Sequence, residues 1–148
     1  MSDLILYFDS NHAVEVHDWI IDNSGGLHGV IDLGRLESVL EHIKNDVYYP
    51  SLEEKLCHLI FSINKNHAFC DGNKRSSMTL GAYFLELNGY DYCVEKFVIE
   101  MEEVVVWIAE NKINKDLLLK LVTSIIMDDE YPEELKLELY ESVKNNDM

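Results

Sequence analysis

Apolar residues recur at helical spacing along almost the whole chain. In SLEEKLCHLIFSINKN, residues 51–66, they form one helical stripe: Leu52, Leu56, Leu59, Ile60 and Ile63. Ser51 followed by Glu54 is a capping-box pattern, which predicts where this helix begins. Four further stripes predict helices elsewhere: Ala13, Val16 and Ile20; Leu33, Leu36, Leu40 and Ile43 after an Asp32 N-cap; Phe97, Met101, Val104, Val105 and Ile108; and Leu118, Leu121, Val122 and Ile125.

The segment SSMTLGAYFLELNGY, residues 76–90, is apolar on nearly every side. Its apolar residues wrap around the helix: Met78, Leu80, Ala82, Phe84, Leu85 and Leu87. This pattern predicts a central helix packed on most of its faces. Asn88 and Gly89 predict that it ends in a left-handed cap.

The C-terminal segment from Asp128 onward is acidic, with eight acidic residues against two lysines. Tyr131, Leu135, Leu139 and Val143 still form a helical stripe, which favours a last helix docked on the same domain over a helix that fits a partner. The chain is therefore predicted to be all-α, with about six or seven helices. Residues 1–127 form the main domain and residues 128–148 the acidic C-terminal helix.

Composition narrows the class of protein. A length of 148 residues suits one domain, and a net charge of −16 with a pI near 4.5 argues against binding nucleic acid or an anionic membrane. No apolar run reaches the roughly 18 residues of a membrane span, and the N-terminus does not resemble a signal peptide. Three cysteines, an odd number, predict reduced thiols and a cytoplasmic location.

The stretch NHAFCDGNKRSS, residues 66–77, concentrates the charged residues between two predicted helices. We expect residues 67–73 to form a loop, with the next helix beginning near Lys74 or Arg75. A helix N-terminus attracts anions, and Gly72 would let backbone amides turn inward. From Lys65 to Arg75, three cations stand against Asp71 in an otherwise acidic chain. Such a site suits a polyphosphate.

Asp71 would oppose a bound anion unless Mg²⁺ bridged the carboxylate to the phosphates. His67, at the other end of the loop, could take a proton from a hydroxyl that attacks a phosphate. The set therefore suggests phosphoryl or nucleotidyl transfer from a nucleoside triphosphate to a hydroxyl. On spacing alone, a purely structural loop explains these residues equally well. A zinc site built from Cys57, His58, His67 and Cys70 is disfavoured, because its spacing matches no regular zinc pattern.

HAFCDGNKR resembles the signature of the Fic/Doc (death-on-curing, Fido) family, H-x-F-x-[D/E]-[G/A]-N-[G/K]-R. The match comprises His67, Phe69, Asp71, Gly72, Asn73, Lys74 and Arg75. The resemblance extends upstream to GGLHGVIDLGRLES and downstream to FLELNGY, so that it covers roughly residues 5–110 and places the family domain within residues 1–127. It implies a compact helical fold with a short β-hairpin flap. The flap would lie at Gly25–Gly34, although an ordinary connector explains that segment equally well.

The resemblance also implies a role for each matched residue. His67 would be the general base that deprotonates a hydroxyl of a target protein, and Asp71 would bind Mg²⁺. The phosphates of ATP would be held by Gly72, Asn73, Lys74 and Arg75. Phe69 would anchor the loop in the core.

Two positions favour one branch of the family. Lys74 stands where adenylylating members have a second glycine, and Met78 stands where they have a second arginine. This is the pattern of Doc-like toxins, which transfer the γ-phosphate. The resemblance thus favours a protein kinase over an adenylyltransferase, and over a catalytically silent binding module. It implies elongation factor Tu as a target and a Phd-like antitoxin as a partner.

Overall fold

The computed structural model describes residues 4–145. Within that range the chain forms seven α-helices and one 3₁₀ turn, Asp91–Cys93, which confirms the predicted all-α class. The helices in chain order are α1 Ser10–Ser24, α2 Leu33–His42, α3 Leu52–Asn66, α4 Asn73–Leu87, α5 Val94–Ala109, α6 Lys115–Met127 and α7 Glu133–Asn145.

Side chains cap the starts of four helices. Asp9, Asp32, Ser51 and Asn114 accept a backbone N–H at the starts of α1, α2, α3 and α6, which satisfies amides that lack a partner within the helix. The predicted caps at Asp32 and Ser51 are confirmed. At the other end of α4, Gly89 is left-handed with φ 85°, as predicted.

Helix α4 is the central helix of the fold, as its sequence predicts. It packs against α1, α3 and α5, and of its residues only Lys74 and Glu86 are exposed. Gly81 permits this close packing, because a Cβ there would lie 3.0 Å from the Phe97 ring and 3.1 Å from Ile60. The surrounding helices therefore fix the position of α4 and of its N-terminus.

The apolar stripes predicted for α5 and α6 are buried in one core. Helix α7 lies against this core through Leu135, which is buried. Two polar contacts add to this packing: Ser142 Oγ donates to the Lys112 carbonyl at 2.6 Å, and Lys120 pairs with Glu138 at 2.9 Å. The domain boundary between residues 127 and 128 stays a prediction.

Two details differ from the sequence-based expectations. Helix α4 begins at Asn73 rather than at Lys74 or Arg75. The segment from Gly25 to Gly34 is not a β-hairpin: β structure within residues 4–145 is one isolated antiparallel bridge, between Val30 and Phe69. Within the same residues, every helix is too short or too polar to cross a lipid bilayer.

Candidate active site

The loop between α3 and α4 begins at His67, where α3 ends. His67 is left-handed, with φ 50° and ψ 49°, and its side chain is exposed. This conformation costs a residue other than glycine roughly 1–2 kcal/mol, although histidine is among the residues that adopt it more often. Such strain is found preferentially at functional sites. The left-handed conformation turns the chain sharply at His67 and leaves the imidazole beside the loop.

Phe69 and Asn73 hold the middle of the loop. The Phe69 ring is fully buried. The Asn73 side chain forms hydrogen bonds with both polar groups of the Phe69 backbone: Oδ1 accepts the Phe69 N–H at 3.2 Å, and Nδ2 donates to the Phe69 carbonyl at 3.0 Å. The side chain of Asn73 is therefore engaged within the loop. Asn73 can contribute only its backbone N–H to a ligand.

The segment from Gly25 to Gly34, which we call the flap, lies along this loop. The Ile31 N–H donates to the Ala68 carbonyl at 2.7 Å, and the Cys70 N–H donates to the Gly29 carbonyl at 3.0 Å. These bonds extend the bridge between Val30 and Phe69. The flap is thus attached to the loop by short-range β pairing rather than being an independent hairpin.

Asp71 is fixed by backbone amides on two sides. Its Oδ1 accepts the Gly72 N–H at 2.8 Å, and its Oδ2 accepts the Leu27 N–H of the flap at 3.2 Å. The bond from Gly72, then that from Leu27, and then the Arg75 charge lower the pKa of the Asp71 carboxyl. Asp71 is therefore ionised at neutral pH.

A lone carboxylate fits Mg²⁺ better than it fits other metals. Mg²⁺ is usually held by one or two carboxylates together with phosphate oxygens and water, not by a protein cage. Residues 4–145 contain no group of three or more His, Cys, Asp or Glu side chains placed to hold a metal ion. Asp71 is ionised and supplies the hard oxygen that such a shared site needs, so the residues present fit Mg²⁺ bound together with a polyphosphate.

The N-terminus of α4 is open. Gly72 occupies the N-cap position with φ 77° and makes no side-chain hydrogen bond. The amides of Asn73, Lys74 and Arg75 lie in the first helical turn, where no carbonyl of the helix can accept them. Lys74 is exposed, and Arg75 Nη1 donates to the Gly25 carbonyl at 2.9 Å. Free amides and two cations thus share one helix end.

These groups surround one pocket of about 450 Å³, within the usual size range of ligand sites. All the predicted site residues line it except Phe69, which lies beneath it; the lining residues are Asn64, His67, Cys70, Asp71, Gly72, Asn73, Lys74, Arg75 and Ala109. A larger cavity of about 540 Å³ between α6 and α7 has a mainly apolar lining and none of the motif residues.

Sequence patterns did not identify His17 as part of the site. His17 in α1 is fully buried, and its Nε2 lies 2.6 Å from the Asp71 carbonyl oxygen. Its ring stacks on Phe69 with centroids 3.9 Å apart and planes 4° apart. The contact joins residues 54 positions apart, so no local pattern signals it. Asn64, also unpredicted, donates from Nδ2 to the Val105 carbonyl at 2.9 Å and links the pocket wall to α5.

Comparisons with known proteins bear on the family to which the chain belongs. The model of the Fic/DOC family matches residues 7–85. Toxin Doc of Mycolicibacterium smegmatis is 33% identical over 84 residues, which cover 54% of this chain and 65% of that protein. Protein kinase doc of Escherichia phage P1 is 30% identical over 86 residues, which cover 56% of this chain and 68% of that protein.

The chain therefore spans about two thirds of the length of each relative. The matched residues include α1, the flap, the loop and most of α4, which together form the pocket and its supports. The chain belongs to the Fic/DOC family.

Proposed function

We propose that this protein is a Doc-like protein kinase, which transfers the γ-phosphate of ATP to a serine or threonine hydroxyl of a target protein. The observation that carries the proposal is the pocket itself. It combines an exposed imidazole, an ionised carboxylate, two cations and an open helix N-terminus within one cavity.

Each group has a role in this proposal. The amides at the start of α4, with Lys74 and Arg75, would bind the phosphates. Asp71 would hold Mg²⁺, which when bound neutralises phosphate charge. His67 would accept the proton of the target hydroxyl as its oxygen attacks the γ-phosphorus and the bond to ADP breaks. Phosphoryl transfer depends mainly on such positioning and charge neutralisation.

Two side chains support γ-phosphate transfer over AMP transfer. Lys74 is exposed and lines the pocket, so that its ammonium is available to a terminal phosphate. Met78, where an adenylylating relative would have an arginine, is half-buried and packs against the core. Its thioether offers no charge to a phosphate.

The printed names of the two relatives suggest the biological setting. One is called a toxin and the other a protein kinase. We propose that this chain likewise acts on a host protein, with elongation factor Tu as the first target to test. A Phd-like antitoxin that covers the pocket would restrain it.

Transfer from ATP labelled at either the α or the γ position distinguishes the candidate activities. The protein is incubated with Mg²⁺, elongation factor Tu or cell extract, and one of the two nucleotides. We expect protein-bound label from γ-labelled ATP alone, and no label with the His67→Ala variant. Label from α-labelled ATP would instead establish adenylylation. Absence of label from both nucleotides would support a silent binding module.

A further inference from the structure

His17 touches the loop at two points on either side of Cys70. Its Nε2 bonds the Asp71 carbonyl, and its ring stacks on Phe69. Because a carbonyl oxygen can only accept, Nε2 must carry the proton and donate it. His17 and Phe69 are both fully buried, so these contacts are shielded from water.

The peptide unit between Asp71 and Gly72 is held at both of its polar ends. Its carbonyl oxygen accepts from His17, and its N–H donates to the Asp71 carboxylate. Gly72 follows this peptide in a left-handed conformation, and glycine offers little steric resistance to rotation. The bond from His17 is therefore the restraint that comes from outside the loop.

This peptide links the two halves of the pocket. On one side it sets the direction of the Asp71 carboxylate, and on the other it leads directly into the first amides of α4. A Cβ on Gly72 would lie 3.5 Å from His17 Nε2, so α1 packs closely beneath this junction. Rotation of the peptide would break the Gly72 bond to Oδ1 and leave the carboxylate held by the Leu27 N–H of the flap.

We propose that His17 is a positioning residue, which fixes the Asp71–Gly72 peptide so that Asp71 faces a magnesium-bound nucleotide. The inference rests on the proposed function, because it assigns His17 a role in Mg²⁺-dependent ATP binding. His17 itself touches neither the nucleotide nor the reacting hydroxyl. It acts through Asp71.

The test compares substitutions that separate the effect of the stacked ring from the effect of the hydrogen bond. His17→Phe keeps a ring for stacking on Phe69 but has no donor. His17→Gln and His17→Asn both lose the ring, and only glutamine carries its amide nitrogen far enough to replace Nε2. Ile125→Val in α6 serves as a core control, because Ile125 is buried away from the pocket.

The main readout is the Mg²⁺ concentration that gives half-maximal ATP binding, measured by calorimetric titration, with thermal unfolding recorded for every variant. We expect His17→Phe to require about tenfold more Mg²⁺, since the loss of one buried hydrogen bond is of that order. His17→Gln should recover most of the wild-type dependence and His17→Asn should not. Ile125→Val should lower the unfolding temperature alone.

Each remaining outcome contradicts a specific part of the account. Unchanged Mg²⁺ dependence in His17→Phe would overturn the positioning role and leave the proposed function intact. If His17→Phe does not fold, equal Mg²⁺ dependence in the glutamine and asparagine variants would overturn the role instead. A wild-type protein that binds no ATP with Mg²⁺ would overturn the proposed function, and the role of His17 with it.

Discussion

Helices α3 and α4 pack against each other, yet their N-termini are built in opposite ways. At the start of α3, Ser51 caps the helix and Glu53 and Glu54 occupy the first turn. At the start of α4, Gly72 provides no side-chain cap, and the first turn carries Lys74 and Arg75 with no acidic residue.

The helix dipole makes this difference energetically meaningful. Acidic side chains stabilise a helix N-terminus, and cations near it are unfavourable by about 0.3–1 kcal/mol each. The start of α3 is therefore stabilised by side chains of the protein, whereas the first turn of α4 has no such side chain and is left to water or a bound anion. Helix α5 also lacks a side-chain cap, but it directly follows a 3₁₀ turn. The missing cap of α4 indicates a ligand site because two cations and a pocket accompany it.

The largest expected effect comes from removing the proposed base beside the open helix start. His67→Ala should reduce the rate of phosphate transfer by about 10²–10⁴-fold, the usual contribution of a general base. The unfolding temperature should change little, since the side chain is exposed and alanine keeps a Cβ at the same left-handed position. His42→Ala, at an exposed position outside the pocket, is the control. Equal activity of the two variants would contradict the role of His67.

Removal of one cation at the start of α4 should weaken nucleotide binding. We expect Arg75→Ala to raise the Kd for ATP with Mg²⁺ by roughly 10–100-fold, because a charge-assisted hydrogen bond to phosphate is lost. Lys120→Ala removes the same charge from the surface of α6 and should change the Kd little. Similar losses in both variants would show that overall charge, and not this helix end, attracts the nucleotide.

At the start of α3, by contrast, removal of the cap should lower stability and leave activity unchanged. Ser51→Ala removes the cap and should lower the free energy of unfolding by about 1 kcal/mol, as measured by urea denaturation. Ser51→Asp keeps a capping oxygen and should remain close to the wild type. Transfer activity at a temperature where both variants are folded should be unchanged. A specific loss of ATP binding in Ser51→Ala would contradict the proposed separation between the two helix starts.

At neutral pH, the smallest expected effect concerns His58 in α3. Burial, and then the charge of Lys115, lower the pKa of His58 from 6.5 to about 4. Between these values the unfolded chain binds the proton more readily, so stability should fall as the pH drops from 6.5 towards 4. His58→Gln should flatten that part of the pH–stability curve without altering transfer at pH 7.5. An unchanged slope would contradict the assignment.

The sequence predicted the local features of both helix starts because short patterns encode them. Ser51 and Glu54 lie three positions apart, and the charged residues of the loop are nearly contiguous. The start of α4 was predicted one or two residues too late, because the hydrogen bonds from the Asn73 side chain to the Phe69 backbone are visible only in three dimensions.

The long-range supports of the site could not be predicted in the same way. His17 reaches Asp71 across 54 positions, and a buried histidine on an apolar helix face has no distinctive local pattern. The flap was predicted from a resemblance, but its pairing with the loop rather than with itself depends on how α1 and α2 place its two ends. The residues proposed to carry the chemistry therefore lie close together in the sequence, while the contacts that hold them in place come from distant segments of the chain.

The most direct test of the central claim compares the backbone amides of the two helix starts. Amide resonances are recorded by NMR while Mg²⁺ and a non-hydrolysable ATP analogue are added to the wild-type protein. The account predicts large shifts for Asn73, Lys74 and Arg75 and almost none for residues 52–54. Comparable shifts at both helix starts, or none at α4, would contradict it.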